Sequence, residues 1–401
     1  MLDFTEEQKL AQSTIRAWCA QHLEPHVLKL ESGEMSVYPV MRELAGTFGI
    51  PDMARASFAK MKERQESGKE ERPGTGFKGL GDAALMAILM MELSRCCPGF
   101  TLAFGATLGL FGGAVMSRGT PEQKLKWALP VFTLEKIGAW ALTEPGAGSD
   151  AFGSMKTVAK KDGDAYRISG SKTFITNAPF ADCFVVYAKM AGGEASDVRA
   201  FIVERTAKGV ETSAPFKKMG MHASPTGEIF LDDVRVPADQ LLGGEGAKNA
   251  RDAAKSSLNQ ERFGMTPMCV GIVDRCLEES VKYAKSREQW GRPIASFQLV
   301  QEKIARIYTA RSLMMTLLLR QLEADKTGTS LSAAEASATK LYCARNATEC
   351  AMEAVQLMGG AGYMTGSVVE MLARDAKLLQ IGGGTDEIQI LRIAREVLEK
   401  P

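Results

Sequence analysis

The chain of 401 residues is 45% hydrophobic and 24% charged, a composition typical of folded globular proteins, and this excludes a globally disordered chain. Its 49 Lys and Arg against 48 Asp and Glu leave a formal net charge of +1, so charge alone would not attract nucleic acid or an anionic membrane. At about 150 residues per domain, the length predicts two to three domains.

The sequence also bears on membrane spans, location and disulfides. Apolar runs such as residues 83–92 are interrupted by Gly or charge before the roughly 18 residues that a membrane span needs, so we expect no such span. Acids occupy the N-terminus where a targeting peptide would carry Arg, which predicts a cytoplasmic location. Eight Cys are too few for a disulfide scaffold, and the regular spacing of Cys269 with Cys276 and of Cys343 with Cys350 predicts buried thiols on helix faces.

The first predicted domain, residues 1–135, is helical because its apolar residues recur at spacings of three and four. Thr5 followed by Gln8 is the pattern of a capping box at the first helix. Charged residues dominate 53–78, which we interpret as a solvated helix or loop, with a docking surface as the alternative.

In the second predicted domain, residues 136–245, the apolar period changes to two. Runs rich in β-forming residues lie there between Gly, Asp and Asn residues. These runs predict strands at 165–168, 183–187, 199–203 and 229–236. Helical spacing returns in the third domain, residues 246–401, with segments long enough for a packed bundle at 300–322 and 332–358.

For two motifs, the rest of the sequence argues against the binding site that the motif usually indicates. Residues 74–79 match the G-x-G-x-x-G dinucleotide pattern, but charged residues and Pro73 precede them, so no buried strand leads into the turn. His22 and His26 have the spacing of a metal pair, yet the chain has only 3 His, the third being His222, and no Cys cluster. We therefore expect neither a metal site nor a Ser-His-Asp triad.

Two segments of the middle domain are suited to a ligand. An apolar strand at Trp140 runs into a Gly-rich loop that contains Ser149 and Asp150. Small residues there would let backbone N–H groups approach a phosphate or the polar edge of a flat heterocycle, although a plain loop explains the pattern equally well. A second apolar-then-hydroxyl edge follows at 172–177, and two such edges are suited to bracketing a ring system.

Further motifs lie in the C-terminal helices, at 287–293, 356–363, 374–377 and 381–387. Arg287 is a candidate anion clamp, and each Gly run is a place where backbone can approach a ligand or another helix. Helix packing alone would explain any one of these motifs.

Taken together, these motifs resemble those of the acyl-CoA dehydrogenase flavoprotein family over nearly the whole chain. The resemblance rests on segments in the family's order at 142–150, 174–176, 232–237, 287–291, 356–362 and 384–389. It implies an α+β multidomain fold with an N-terminal helical domain, a middle β-barrel-like domain and a C-terminal four-helix bundle. It also implies FAD as cofactor and an acyl-CoA substrate that is oxidised to the trans-2-enoyl-CoA.

The resemblance assigns two sets of residues to FAD. The first set holds the flavin and consists of Trp140, Leu142, Thr143, Gly148, Ser149, Phe174, Ile175 and Thr176. The second set reaches the cofactor of a neighbouring subunit or closes its phosphate side, and consists of Arg287, Gln289, Trp290, Gln298, Gln356, Gly359, Gly360, Thr385 and Glu387. Because residues of one subunit would contact the FAD of another, the resemblance also implies a homotetramer, built as a dimer of dimers.

The catalytic base is where the chain departs from the commonest family pattern. Removal of the proton next to a thioester carbonyl requires a carboxylate beside that carbon. Many family members carry a Glu two residues before the terminal Thr, but here that position is Gly383. Isovaleryl-CoA and long-chain acyl-CoA dehydrogenases look similar in carrying the Glu on a helix instead, which implies Glu261 as the base. The alternative is a surface acid paired with Arg262 or Arg251.

Other residues are implied as contacts to the substrate or its CoA portion: Ser149, Asn259, Gln260, Arg262, Gly383, Gly384 and Arg395. The backbone N–H of Gly383 is the implied hydrogen-bond donor to the thioester carbonyl. Pro267 lies shortly after Glu261 and is expected to kink or loosen the helix that carries the base.

The implied electron acceptor is an electron-transfer flavoprotein. Two alternatives stay open. A flavin oxidase or monooxygenase on the same scaffold would be reoxidised rapidly by O2, and a catalytically silent subunit would bind FAD or acyl-CoA without bleaching of the flavin.

Overall fold

The structure is a computed structural model, and it describes residues 3–67, 82–194, 197–247, 250–329 and 331–399. Helices, then strands, then helices follow one another along the chain, in the order that the sequence predicts. The G-x-G-x-x-G stretch at 74–79 and the end of the charged run lie outside the described residues.

Helices form the described N-terminal part: α1 (Glu6–Trp18), α2 (Val27–Ser32), α3 (Val37–Thr47), α4 (Ile50–Glu66), α5 (Ala83–Cys96), α6 (Pro98–Gly105), α7 (Gly113–Arg118), α8 (Pro121–Gln123) and α9 (Leu129–Phe132). The capping box is confirmed, since Thr5 Oγ1 accepts from Gln8 N at 3.2 Å and Gln8 Oε1 accepts from Thr5 N at 3.0 Å. Helix α4 carries the start of the charged run and exposes most of its charged residues, as predicted for a solvated helix.

The expectation that every apolar run is interrupted before about 18 residues is wrong for one stretch of these helices. The helical stretch Pro98–Arg118 spans 21 residues with a mean hydropathy of 1.5, so by length and composition it could cross a membrane. Of the most apolar 18 residues of this stretch, 72% are buried inside the protein. Core helices have the same property. The glycines of this stretch do not interrupt it but serve close packing, since a Cβ at Gly112 would lie 3.0 Å from the ring of Phe132.

A curled sheet occupies the middle of the chain. Its strands are β1 (Gly138–Ala141), β2 (Val158–Asp162), β3 (Ala165–Thr176), β4 (Cys183–Met190), β5 (Val198–Glu204), β6 (Val210–Thr212) and β7 (Thr226–Pro237). Their order is β1-β4-β2-β3-β7-β6, and β5 pairs with β4. The predicted strand runs are confirmed as β3, β4, β5 and β7. Strand β4 is buried from Cys183 to Ala188 and pairs with β1 on one edge and β5 on the other.

The described C-terminal part consists of α10 (Arg251–Ser286), the hairpin strands β8 (Glu288–Gln289) and β9 (Arg292–Pro293), α11 (Gln298–Thr327), α12 (Ala333–Met358), α13 (Gly360–Tyr363), α14 (Val368–Leu379) and α15 (Asp386–Glu399). Pro267 does not interrupt α10, which stays helical on both sides of it. The cysteines of the chain, including Cys269 and Cys343, are buried and free, which confirms the prediction of core thiols.

Helix α10 packs between α5 and α12, and so joins the N-terminal and C-terminal parts. Gly271 permits the close approach to α5, because a Cβ there would overlap a backbone carbonyl of that helix. Arg95 of α5 forms ion pairs with Asp274 and Glu278 of α10. These contacts hold the helix that carries Glu261 in a defined position.

Candidate active site

A glycine loop, residues 380–385, joins α14 to α15. The N–H of Gly382 donates to Leu378 O at 2.8 Å and so completes the end of α14. Gly383 and Gly384 then have φ angles of +62° and +92°, in the left-handed region that favours glycine. The turn itself therefore requires the glycines that the sequence motif contains.

The carboxyl group of Glu261 lies beside this glycine loop. A Cβ added at Gly383 would be 3.6 Å from Glu261 Cδ, and 3.0 and 3.1 Å from Met265 Cε and Sδ. Glu261 and Met265 are one turn apart on α10, so both side chains reach the loop from the same helix face. A helix carboxylate thus fills the space that a side chain at position 383 would enter.

Burial changes the acidity of this carboxyl group. Removal from water raises the pKa of Glu261 to about 7, while the positive charges of Arg262 and Lys340 oppose the rise. A carboxyl group with a pKa near neutrality exchanges protons readily at neutral pH, as a general base must.

Side chains from α10, α12 and α15 hold the glycine loop by its carbonyl oxygens. Arg262 Nε donates to Gly383 O at 3.1 Å. Gln389 Nε2 donates to Gly383 O at 3.2 Å and to Gly384 O at 2.8 Å, and Lys340 Nζ donates to Gly384 O at 2.9 Å. The N–H of Gly383 has no hydrogen-bond acceptor among the described residues, so it remains available to a ligand.

Lys340 and Gln389 were missing from the predicted site. Lys340 lies on the face of α12 that also buries Cys343 and Ala344, at spacings of three and four that the sequence displays. A lysine on an apolar helix face was thus a usable signal. Gln389 belongs to the 384–389 motif, but its spacing does not indicate which carbonyl groups it contacts.

The ends of β1 and β3 meet where the sequence predicts two ligand-binding edges. Thr173 N donates to Thr143 O at 2.9 Å, and Thr143 Oγ1 donates to Thr173 O at 2.6 Å. Next to them, Phe174 has a φ of +58° and a side chain that is 70% exposed. Trp140 Nε1 donates to the hydroxyl group of Tyr187 at 3.1 Å, which orients the indole ring.

The other middle-domain residues predicted to hold a flavin surround this edge. Leu142 and Ile175 are buried, Thr176 is partly buried, and Gly148 and Ser149 are exposed. A Cβ added at Gly148 would have no heavy atom of the described chain within 4 Å, so the backbone there is open to a ligand. An exposed aromatic ring, a hydroxyl-bearing edge and open backbone together fit a flat ring system with polar edges.

A buried ion pair supports the Gly-rich loop that follows β1. Lys172 Nζ lies 2.8 Å from Glu144 Oε1 and donates to Leu142 O at 3.0 Å. Glu144 also accepts from the backbone N–H groups of Lys156 and Thr157, at 2.6 and 3.0 Å. Burial lowers the pKa of Lys172 to about 8, and the charge of Glu144 opposes this shift. The pair ties the start of the loop to β3.

The C-terminal residues predicted to reach a neighbouring subunit's cofactor are exposed: Arg287, Gln289, Trp290, Gln298, Gln356, Gly359 and Gly360. The side chain of Trp290 is 86% exposed and packs edge-on against Phe297, with 5.6 Å between the ring centroids. Such exposure suits contact with a second chain, and the role of these residues stays a prediction.

The remaining predicted residues lie near the glycine loop or outside the described side chains. Thr385 Oγ1 accepts from a backbone N–H of α15 at 3.4 Å. Glu387 and Arg395 are exposed on the same helix, and the side chains of Asn259 and Gln260 are not among those described. In the described ranges, no group of three or more His, Cys, Asp or Glu side chains could hold a metal ion.

Three family models match consecutive parts of the chain. The N-terminal, middle and C-terminal domains of acyl-CoA dehydrogenase match residues 5–135, 139–234 and 251–398.

Individual proteins match over nearly the full length. The chain is 35% identical to the probable acyl-CoA dehydrogenase YngJ of Bacillus subtilis over 99% of each chain. It is 34% identical to the caffeyl-CoA reductase-Etf complex subunit CarC of Acetobacterium woodii, over 99% of this chain and 100% of that protein. The solved structure of butyryl-CoA dehydrogenase from Megasphaera elsdenii is similar with a TM-score of 0.87 and 29% identity, over 100% of both chains.

Proposed function

The chain belongs to the acyl-CoA dehydrogenase family of FAD-dependent oxidoreductases, and from this premise we propose that it oxidises an acyl-CoA thioester to the trans-2-enoyl-CoA with Glu261 as base. The observation that carries the proposal is the position of Glu261, whose Cδ lies 3.6 Å from where the first side-chain atom of residue 383 would be. A carboxylate on α10 thus faces the loop position at which many family members carry theirs.

The middle-domain residues fit FAD. The exposed ring of Phe174, the Thr143 edge and the open backbone at Gly148 offer an aromatic wall and polar contacts to the isoalloxazine ring. When bound, FAD supplies the acceptor for the hydride that leaves the β-carbon of the substrate.

The protein's own residues accept the proton and stabilise the negative charge that develops on the thioester oxygen. Glu261 accepts the proton from the α-carbon, and its pKa of about 7 leaves much of it deprotonated at neutral pH. The N–H of Gly383 donates to the thioester oxygen as the enolate develops. Met265 packs beside both groups and limits access of water to that side of the site.

Arg262 adds a positive charge next to the base. Burial, and secondarily the charge of Arg392, lower the pKa of Arg262 to about 10, so the side chain stays charged at neutral pH. Its bond to Gly383 O places that charge under the loop, where it favours a negatively charged enolate. The contacts to CoA proposed for Ser149, Asn259, Gln260, Gly384 and Arg395 complete the substrate site.

The proposed electron acceptor is an electron-transfer flavoprotein. Support comes from the relative CarC, which by its name is a subunit of a reductase-Etf complex. After anaerobic reduction by substrate, we expect rapid reoxidation by an electron-transfer flavoprotein and slow reoxidation by O2 in stopped-flow absorbance. Rapid reoxidation by O2 would favour the oxidase alternative.

The proposed assembly is a homotetramer. The exposed apolar side chains of Trp290, Leu299 and Tyr363, at 86%, 79% and 78% exposure, suit burial against a second chain. Light scattering coupled to size-exclusion chromatography is expected to give four times the chain mass of 43.3 kDa.

An anaerobic bleaching screen tests the proposal. Purified holoenzyme is mixed with short, branched, long and ring-bearing acyl-CoAs, and flavin absorbance is followed for the wild type, Glu261→Gln and Glu278→Gln. Glu278 lies on the same helix and pairs with Arg95, so its variant is the matched control. We expect at least one acyl-CoA to bleach the wild type and the control, and the Glu261→Gln variant to react about 10² to 10⁴ times more slowly. Bleaching by no acyl-CoA would instead favour a silent subunit.

A further inference from the structure

Lys340 is a buried lysine beneath the glycine loop. Its side chain on α12 is 0% exposed, Nζ donates to Gly384 O at 2.9 Å, and Asp386 Oδ1 lies 3.9 Å from Nζ. A charged ammonium group is costly to bury unless it is paired and hydrogen-bonded, and here the Gly384 carbonyl group and the Asp386 carboxylate are its partners.

We propose that Lys340 is a positioning residue for the reaction, which fixes the Gly384 carbonyl group and keeps a positive charge beside Glu261. The proposal rests on the proposed function, in which Glu261 is the base.

The hydrogen bonds account for the positioning. Glycine residues with φ angles of +62° and +92° have access to many backbone conformations, so this loop needs external restraint to present one of them. Peptide groups are planar and trans, so holding the carbonyl oxygens of Gly383 and Gly384 also sets the direction of the adjoining N–H groups. Lys340 supplies this restraint from α12, and Arg262 supplies it from α10.

The charge of Lys340 is its distinctive contribution. Gln389 Nε2 already donates to Gly384 O at 2.8 Å, so that carbonyl oxygen would keep a partner without the lysine. What a neutral amide does not supply is a positive charge beneath the loop that Glu261 faces. Lys340 Nζ donates to Gly384 O, and Glu261 Cδ lies 3.6 Å from the Cβ position of the neighbouring Gly383. A positive charge there favours the carboxylate of Glu261 over the carboxylic acid.

The other charged groups around Lys340 and Glu261 come from two helices. Arg262 lies on α10 with Glu261, and Asp386 and Arg392 lie on α15. Burial lowers the pKa of Lys340, whereas the charge of Asp386 acts most strongly to raise it. Arg262 and Lys340 act together against the burial that raises the pKa of Glu261 to about 7.

Three substitutions separate the charge from the hydrogen bond. Lys340→Met removes both, Lys340→Gln keeps a hydrogen-bond donor without the charge, and Lys340→Arg keeps the charge. The matched control is Arg345→Met, because Arg345 Nε also pairs with Asp386, at 2.9 Å, but its side chain is 50% exposed.

The readout is the pH dependence of flavin reduction by a bleaching acyl-CoA, in which the rate rises as the base loses its proton. Removing the positive charge raises the pKa of Glu261. We therefore expect the increase in rate to occur at higher pH in Lys340→Met and Lys340→Gln, and only in these variants. A displacement of half a pH unit lowers the rate at pH 6 by about threefold, since each unit is tenfold. The Lys340→Arg and Arg345→Met variants should retain the wild-type midpoint.

A second readout does not depend on turnover. The infrared C=O band of protonated Glu261, identified by its absence from Glu261→Gln, is titrated in the wild type and the Lys340 variants. The midpoint of this titration should also shift to higher pH in Lys340→Met and Lys340→Gln.

Unchanged midpoints in both Lys340→Met and Lys340→Gln would overturn the inference. Loss of the flavin from the Lys340 variants would also overturn it, since that result marks a residue needed for folding alone. If Glu261→Gln bleaches at the wild-type rate, the proposed function fails; if it does not bleach and the midpoints stay unchanged, only the role of Lys340 fails.

Discussion

At the scale of single residues, Gly383 and Glu261 depend on each other. A side chain at 383 would meet Met265 first, at 3.0 Å, and the Glu261 carboxyl group next, at 3.6 Å. The absence of a side chain on the loop therefore makes room for the carboxylate from the helix. The same position has a φ of +62°, so both space and backbone conformation favour glycine.

Replacing Gly383 with Ala is expected to destabilise the holoenzyme by about 1–2 kcal/mol from the left-handed backbone alone, with contact against Met265 adding to it. Urea unfolding measures the change. The control is Gly46→Ala in α3, where a Cβ meets nothing within 4 Å and should stabilise the helix by up to about 1 kcal/mol. Equal effects at the two positions would contradict the assigned geometry.

Replacing Glu261 with Gln should change stability in a pH-dependent way. The pKa of Glu261 is raised from 4.5 to about 7 in the folded state, so its carboxylate costs stability as pH rises through that interval. Glu261→Gln should therefore be more stable than the wild type at pH 8, by at most about 3 kcal/mol, and similar to it below pH 5. Unfolding curves at both pH values test this.

The control variant, Glu278→Gln, should change stability in the opposite direction to Glu261→Gln. Burial acts to raise the pKa of Glu278, but its hydrogen bond and charge interaction with Arg95 outweigh burial and lower it. Glu278→Gln should accordingly lose stability relative to the wild type at pH 8. If Glu261→Gln instead behaves like Glu278→Gln, then Glu261 is not in an environment that disfavours its charge.

At the scale of secondary-structure elements, local patterns were readable from the sequence and long-range contacts were not. The capping box at Thr5 and the strands β3, β4, β5 and β7 follow from spacing over a few residues. The sequence also indicated two segments suited to a ligand, at 140–150 and 172–177, with a plain loop as the alternative for the first. It did not indicate that Lys172 of one edge pairs with Glu144 of the other, because that contact depends on how the strands assemble.

Breaking this pair tests its role in holding the Gly-rich loop. Lys172→Met leaves the Glu144 carboxylate buried without its cation, which typically costs about 3–5 kcal/mol. We expect weaker FAD binding, measured by flavin release during dilution or dialysis. Lys161→Met is the control, since it removes an exposed pair with Glu245 and should leave FAD retention unchanged. Equal retention by both variants would contradict the role of the buried pair.

At the scale of the whole molecule, α10 carries Glu261, the proposed base, and is held by contacts with both helical parts. Arg95 of α5 bonds to Asp274 and Glu278 on α10 and lies 3.3 Å from the fully buried carboxylate of Glu92. This network fixes the distance between the N-terminal helices and the helix beneath the glycine loop. The sequence motifs predicted the order of the parts but not this junction, whose members are far apart along the chain.

Arg95→Met should destabilise the protein by about 1–3 kcal/mol, because it removes one partner of the buried Glu92, which keeps its pair with Arg16. The measurement is urea unfolding. Arg55→Met, which removes exposed pairs with Asp52 and Glu135, is the control and should cost about 1 kcal/mol or less. Similar costs for both variants would show that the junction does not depend on Arg95.

Proton removal by Glu261 can be measured separately from hydride transfer to the flavin. An acyl-CoA whose β-carbon bears no hydrogen cannot be dehydrogenated, so exchange of its α-hydrogen with D2O, followed by NMR, reports the base alone. We expect exchange with the wild type and with Glu278→Gln, and a rate about 10² to 10⁴ times lower with Glu261→Gln. Undiminished exchange in the Glu261→Gln variant would show that another group removes the proton.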